Sequence, residues 1–299
     1  MFTRCSYTIG LLTALALMPT GAALARSAPP QVGVGSQYDT SHVYVDPDKV
    51  DSFVSSFLAT FGGTSSKQVV ATVTPTPSST SSQLLQTPVG TVSLFGFKTP
   101  IPYPFGAERT GYLVTDMDKA IAAARAAGAS VVVGVFPDPI GRDAVVQWPG
   151  GVNMQLYWHT TKSTYTAFEK IPENRVYVSP DAAGNFVKAF LAFSQGKVVS
   201  DDKKALGVEI GRPGDTYRRI RIESIFGKMT VLVTDGHLPF PYGHETTGYE
   251  VSDLAATLDK AKANGATILI DAYSADKRQA AMVEFPGGYV AEIHSLASQ

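Results

Sequence analysis

The sequence predicts an α+β protein of two tandem domains, each made of two βαβββ modules. Three observations carry the prediction. The chain has 299 residues, 44% of them hydrophobic, enough to bury cores of domain size. Its body is one unit written twice. Within each copy a strand, an amphipathic helix and three strands occur, and then occur again.

The N-terminal segment comes first. Arg4 precedes an apolar stretch from Ile9 to Met18, and the small residues Ala23 and Ala25 follow at the spacing a signal peptidase reads. That stretch is about half the roughly 20 residues a membrane-crossing helix needs. Residues 1–25 are therefore expected to be a signal peptide, with export to the periplasm or secretion, and 26–37 a flexible leader. Cys5, the single cysteine, leaves with the signal, so no disulfide framework is available. No later run is long enough to span a membrane. The 25 basic and 26 acidic residues give a net charge of −1, which argues against a nucleic-acid-binding surface.

The repeat is explicit. PYPFGAERTGYLVTDM from Pro102 recurs as PFPYGHETTGYEVSDL from Pro239, an offset of 137, and the same offset carries AVVQWPGG from Ala144 onto AMVEFPGG from Ala281. Upstream, VYVDPD at Val43 matches VYVSPD at Val176, an offset of 133. The four extra residues fall near Lys197 to Lys203, a polar stretch expected to be a loop. The domains are placed at 38–160 and 172–296, with 161–171 as linker.

In copy one, HVYV alternates as a strand does. Residues 47–61 put Val50, Phe53, Val54, Phe57, Leu58 and Phe61 at helical spacing. Strands are expected around Val69 to Val73, Leu84 to Thr87 and Thr91 to Phe97, with the serine-rich Ser78 to Ser82 as a loop. The pattern restarts at TGYLV. Asp116 is placed to cap a helix from Met117 to Ala127 that Gly128 ends. Strands follow at Val131 to Phe136, Ala144 to Trp148 and Val152 to Trp158. The W/F-P-G-G segments read as tight turns.

Tandem βαβββ modules with V-x-D after a strand, a helix ending in G-A, and W/F-P-G-G before a last strand resemble the vicinal oxygen chelate superfamily. Its members include glyoxalase I, extradiol dioxygenases and bleomycin-resistance proteins. The resemblance covers nearly all of the chain after the leader and is strongest over Thr110 to Tyr157 and Thr247 to His294. It implies two glyoxalase-like domains whose cup-shaped mixed sheets hold a small molecule, often with a divalent metal bound by one side chain per strand.

Strand alternation assigns the faces. His42 and Tyr44 oppose the helix-side Val43 and Val45, and Arg175 and Tyr177 take the same places in copy two. Arg109, Gly111 and Leu113 face the cup, as do His244, Thr246, Gly248 and Glu250. In the last strands Gln155 and Tyr157 face it, matched by Glu292 and His294. The family's remaining ligand position falls near Leu94 and Val231. Carried over on the resemblance, a metal set of His42, His244 and Glu292 assembles if module one pairs with module four and two with three. His244 then sits about 7 Å before the aligned position. The ion would be one divalent metal, Fe, Mn, Ni or Zn, suited to a facial triad. Pairing within each copy would leave His42 facing Gln155 and Arg109 instead, with no metal.

Two functions follow. One is an exported metal-dependent lyase or dioxygenase, with Glu250 or Tyr44 helping proton transfer. The other is a metal-free binding protein or interaction module, in which Tyr44, Arg109, Gln155, Tyr157 and Arg175 hold an anionic or aromatic ligand. Arg109 and Arg175 are equally read as ion pairs with Glu108 and Glu173. Glu108 and Glu245, at matching places in the two copies, read as structural hydrogen-bond acceptors. The partner is a small molecule, with no nucleic acid and no membrane span after signal cleavage, in a monomer or homodimer. His244-Glu245 does not continue to H-E-x-x-H, since Gly248 holds the fifth place.

Overall fold

The computed structural model describes residues 32–33, 41–162, 164, 170–236, 238–239 and 245–297. Module one comprises β1 (Ser41–Tyr44), α1 (Val50–Phe61), β2 (Thr64–Ser65), β3 (Val69–Ala71), β4 (Thr80–Thr87) and β5 (Gly90–Phe97). Module two comprises β6 (Gly111–Leu113), α2 (Met117–Ala126), β7 (Ser130–Asp138), β8 (Gly141–Gln147) and β9 (Asn153–His159). Module three comprises β10 (Glu173–Val178), α3 (Pro180–Ser194), β11 (Lys197–Leu206), β12 (Thr216–Ser224) and β13 (Gly227–Val233). Module four comprises β14 (Glu245–Glu250), α4 (Leu254–Ala263), β15 (Thr267–Ala275), β16 (Arg278–Phe285) and β17 (Tyr289–Leu296). The fold is thus the α+β arrangement the sequence predicts. Three helices start on side-chain caps: Asp116 accepts from Lys119 N at 3.0 Å, Ser179 from Ala182 N at 3.3 Å and Asp253 from Ala256 N at 3.0 Å. No helix of the described residues is long and apolar enough to cross a membrane.

The sheets join modules within a copy. In copy two β10 and β14 pair antiparallel, with Arg175 opposite Thr246, so modules three and four share one eight-stranded sheet. In copy one the equivalent strands β1 and β6 meet through a Ser41–Thr110 bridge and a 2.9 Å hydrogen bond from His42 N to Arg109 O. Each curled sheet is therefore made by one copy.

The cross-copy pairing, one with four and two with three, exists on the other side of the sheets. Val43, Phe53 and Phe57 of module one form one core with Tyr249, Phe285 and Tyr289 of module four. Phe57 lies 5.5 Å from Tyr249 and 5.2 Å from Phe285, ring centre to ring centre. Tyr112 and Trp148 of module two share the second core with Phe186, Phe190 and Phe193 of module three. The helices pack in the same pairs, α1 on α4 and α2 on α3. The W/F-P-G-G turns seat this packing. Gly150 and Gly287 have φ of +95° and +90°, and a Cβ on Gly287 would lie 2.7 Å from Cβ of Val45 in module one.

Two expected loops are strands. Lys197 to Lys203 belongs to β11, whose register against β12 shifts between Val198 and Ser200 and between Asp202 and Ala205. Its polar side chains suit an exposed edge strand. Thr80 to Ser82 open β4, where they pair with Phe97, Gly96 and Phe95. The small side chain of Ser81 suits that place, because a Cβ on Gly96 would lie 3.8 Å from it. The signal peptide lies outside the described residues. Within the leader, Val32 is buried and accepts from Thr115 N at 2.8 Å, and Gly33 bridges Val114.

Candidate functional site

The two cups have the same strand order and opposite interiors. The cup of copy one encloses a cavity of about 380 Å³. Strand alternation builds its wall. In β1, Val43 points to the core while His42 and Tyr44 line the cavity. In β9, Met154 and Leu156 are buried in the core while Gln155 and Tyr157 line it. Ser93, Phe95, Phe136 and Asp143 enter from β5, β7 and β8, and Phe105 from the loop before β6. β6 passes beneath them with no side chain at Gly111, where a Cβ would lie 2.8 Å from His42 Nε2 and 3.3 Å from Tyr157 Cε1. That close approach accounts for the glycine of the T-G-Y motif.

Hydrogen bonds fix these groups. His42 Nδ1 lies 3.2 Å from Oε1 of the fully buried Glu108, and the Tyr44 hydroxyl donates to the same oxygen. Burial of the Tyr44 phenol, reinforced by the Glu108 charge, pushes its pKa well above 10.0. Tyr44 is thus a donor that stays protonated, a poor base. Gln155 Nε2 donates to Asp143 Oδ2 at 3.0 Å. Arg109 lies outside the cavity lining. Its guanidinium donates to the carbonyl oxygens of Gly106 and Glu108 and sits 5.3 Å from the Tyr44 ring centre.

The cup of copy two is filled with charge. Arg175, 1% exposed, places Nη1 3.4 Å from both Glu173 Oε1 and Glu292 Oε1. Arg278 directs two nitrogens at Glu173 Oε2, each at 3.2 Å, and His294 Nδ1 lies 2.7 Å from Glu292 Oε2. Arg219 pairs with Glu209, which also accepts from the Tyr217 hydroxyl at 2.7 Å. Burial pushes the Glu292 carboxyl up, but His294 and Arg175 outweigh it and hold it below the usual range. Glu173 is likewise held low against its burial, chiefly by Arg278.

Among the described residues, neither cup offers the donor set of a divalent metal. In copy two the buried carboxylates Glu173, Glu209 and Glu292 are matched by the buried guanidiniums Arg175, Arg219 and Arg278, so no net negative charge remains for a dication. Both oxygens of Glu292 are engaged. In copy one the aligned last-strand residue is an amide, Gln155, already donating to Asp143. Among the described residues no three His, Cys, Asp or Glu side chains could hold a metal ion. His42 and Glu292 stand in separate sheets, and His244 lies outside the described residues. Leu94 and Val231 face the cores, and their cup-facing neighbours are Ser93 and Phe95, and Thr230 and Leu232.

Other candidates have other work. Arg175 is committed to ion pairs and cannot bind a ligand in copy one. Glu250 pairs with Lys170 at 2.9 Å and Lys228 at 3.6 Å, and the Lys170 hydrogen bond lowers its pKa, which leaves it a weak proton carrier. Glu245 belongs to copy two but accepts from Arg109 N and, at 3.2 Å, from Thr110 Oγ1 of copy one. Burial, only partly offset by Arg109, pushes its pKa up to about 8. Alternation alone could have found Asp143, opposite Ala144, and Phe95, opposite Leu94. The same rule puts Arg278 on the face opposite Ala281, while Glu209, outside the strands, carried no such signal.

No protein-family model matches the sequence, and no curated protein matches it. Solved structures do match. A triply substituted 4-hydroxymandelate synthase from Streptomyces coelicolor superposes with a TM-score of 0.61 at 12% identity, over 88% of this chain and 94% of that one. The 2,3-dioxygenase LapB from Pseudomonas sp. KL28 gives 0.55 at 11% identity, over 90% and 92%. A 2,2',3-trihydroxybiphenyl 1,2-dioxygenase from Sphingomonas wittichii gives 0.54 at 14%, over 87% and 90%. The chain has the vicinal oxygen chelate fold that these proteins share.

Two outcomes are expected from this geometry. Arg175→Ala should destabilise the protein by about 3–5 kcal/mol in urea, because two buried carboxylates lose their shared cation. Arg175→Met with Glu292→Gln should recover part of that loss, and a single-variant loss under about 1 kcal/mol would contradict the network. Glu245 ionises near 4.5 when unfolded and about 8 when folded. The folded state therefore holds a proton that the unfolded chain releases. Its stabilising contribution is full below pH 4.5 and declines as the pH rises towards 8. Glu245→Gln should flatten that decline in melting curves, and an unchanged slope would show that Glu245 is not its source.

Proposed function

We propose that the chain is an exported, metal-free small-molecule-binding protein whose site is the cup of copy one. One observation carries the reading. That cup is open, with an aromatic and hydrogen-bonding wall around about 380 Å³, a volume in the range of small-molecule sites. Phe95, Phe105, Phe136, Tyr44 and Tyr157 supply ring surface, and Ser93, Gln155 and Asp143 supply polar contacts. The second cup is occupied by its own ion pairs and acts as a structural half.

The dioxygenases and the synthase that share the fold would favour a metal-dependent reaction on an oxygen-bearing substrate. The donor sets argue against it here, since Gln155 and Arg175 hold places that the family resemblance gives to metal ligands. Export rests on the N-terminal pattern of Arg4, the apolar stretch to Met18, and Ala23 and Ala25.

The test is nuclear magnetic resonance of the mature chain in chelator-containing buffer with 2-naphthol as probe. Saturable amide shifts are expected at Ser93, Phe95, Asp143, Gln155 and Tyr157. Phe95→Ala should weaken binding roughly ten-fold, the upper end of one aromatic contact. Shifts absent from the cup, or appearing only when a divalent ion is added, would overturn the reading.

A further inference from the structure

Resting on the binding function just proposed, we infer that the ligand of the first cup is an organic cation, an amine or quaternary ammonium group carried on an apolar body. The described side chains that line the cavity include Asp138 and Asp143 and no lysine or arginine. Behind the wall Glu108 is fully buried against His42 and Tyr44, and its Oε2 has no hydrogen-bond partner in the structure. The contrast with copy two is direct. There, Glu173, Glu209 and Glu292 each face a guanidinium of the same cup.

The guanidinium nearest the first cup is held out of it. Arg109 is fastened to the carbonyl oxygens of Gly106 and Glu108 and lies over the Tyr44 ring, outside the cavity lining. Burial pushes the Asp138 carboxyl up despite the His159 nearby, and a bound cation would relieve that penalty. The remaining titratable groups of the lining are His42, Tyr44, Tyr157 and His159. None of them is a permanent cation. The rings supply the second half of the recognition. Tyr44, Phe95, Phe105, Phe136 and Tyr157 border the same space, and the faces of such rings attract a desolvated ammonium. An anion would meet the carboxylates Asp138 and Asp143 here, so the inference departs from the anionic ligand that Arg109 and Arg175 suggested from sequence.

The experiment is calorimetric titration of the mature chain with benzyltrimethylammonium, benzyl alcohol and phenylacetate. The cation should bind at least ten-fold more tightly than the alcohol, and phenylacetate should bind least. Asp143→Asn and Asp138→Asn should each weaken the cation several-fold and weaken the alcohol far less. The second variant guards against a fold defect from losing the Gln155 contact, and melting curves check both. Equal or tighter binding of the alcohol or of phenylacetate overturns the inference and leaves the binding function standing. If none of the three binds while 2-naphthol still shifts the cup amides, the inference alone falls. If 2-naphthol is silent as well, the binding function falls with it.

Discussion

A carboxylate removed from water must be met by a positive charge or by hydrogen bonds, and the two halves of this protein meet that requirement differently. In copy two the answer is internal. Arg175 stands between Glu173 and Glu292, Arg278 covers the other side of Glu173, and Arg219 holds Glu209. The charges close on one another and the cup fills. In copy one Glu108 is met by His42 and Tyr44, and the described residues of the wall in front of it include Asp138 and Asp143 and no arginine or lysine. One cup is closed by its own ion pairs and the other holds a cavity.

The packing allows this division. Each helix-side core draws its residues from both copies, module one with four and two with three. Copy two thus gives copy one a rigid back, with Tyr249, Phe285 and Tyr289 behind the strand that carries His42 and Tyr44. Glu245 adds a polar tie, reaching from copy two to the start of β6. The cup faces differ, one lined by buried ion pairs and the other by aromatic and polar side chains around a cavity.

Much of this was legible in the sequence. The repeat, the capping residue Asp116, and the two-residue alternation in β1 and β9 specify the fold and put His42, Tyr44, Gln155 and Tyr157 on the cup side. The Glu173–Arg175 pair was legible because its partners are two residues apart on one strand face. Glu292 and Arg278 were not, being 117 residues from Arg175 and 105 from Glu173, since alternation gives a side chain's face and not its partner. Leu94 was a slip of one residue, which in a strand turns a side chain to the other face. The β11 segment read as a loop because an exposed edge strand is polar on both faces and shows no alternation.

The central claim is that this fold works here without a metal. The most direct measurement is the metal content of the mature protein after dialysis against Fe(II), Mn(II), Ni(II) or Zn(II), with melting temperature recorded before and after chelation. The account predicts far less than one ion per chain and an unchanged melting temperature. About one tightly held ion per chain, whose removal lowers the melting temperature, would contradict it.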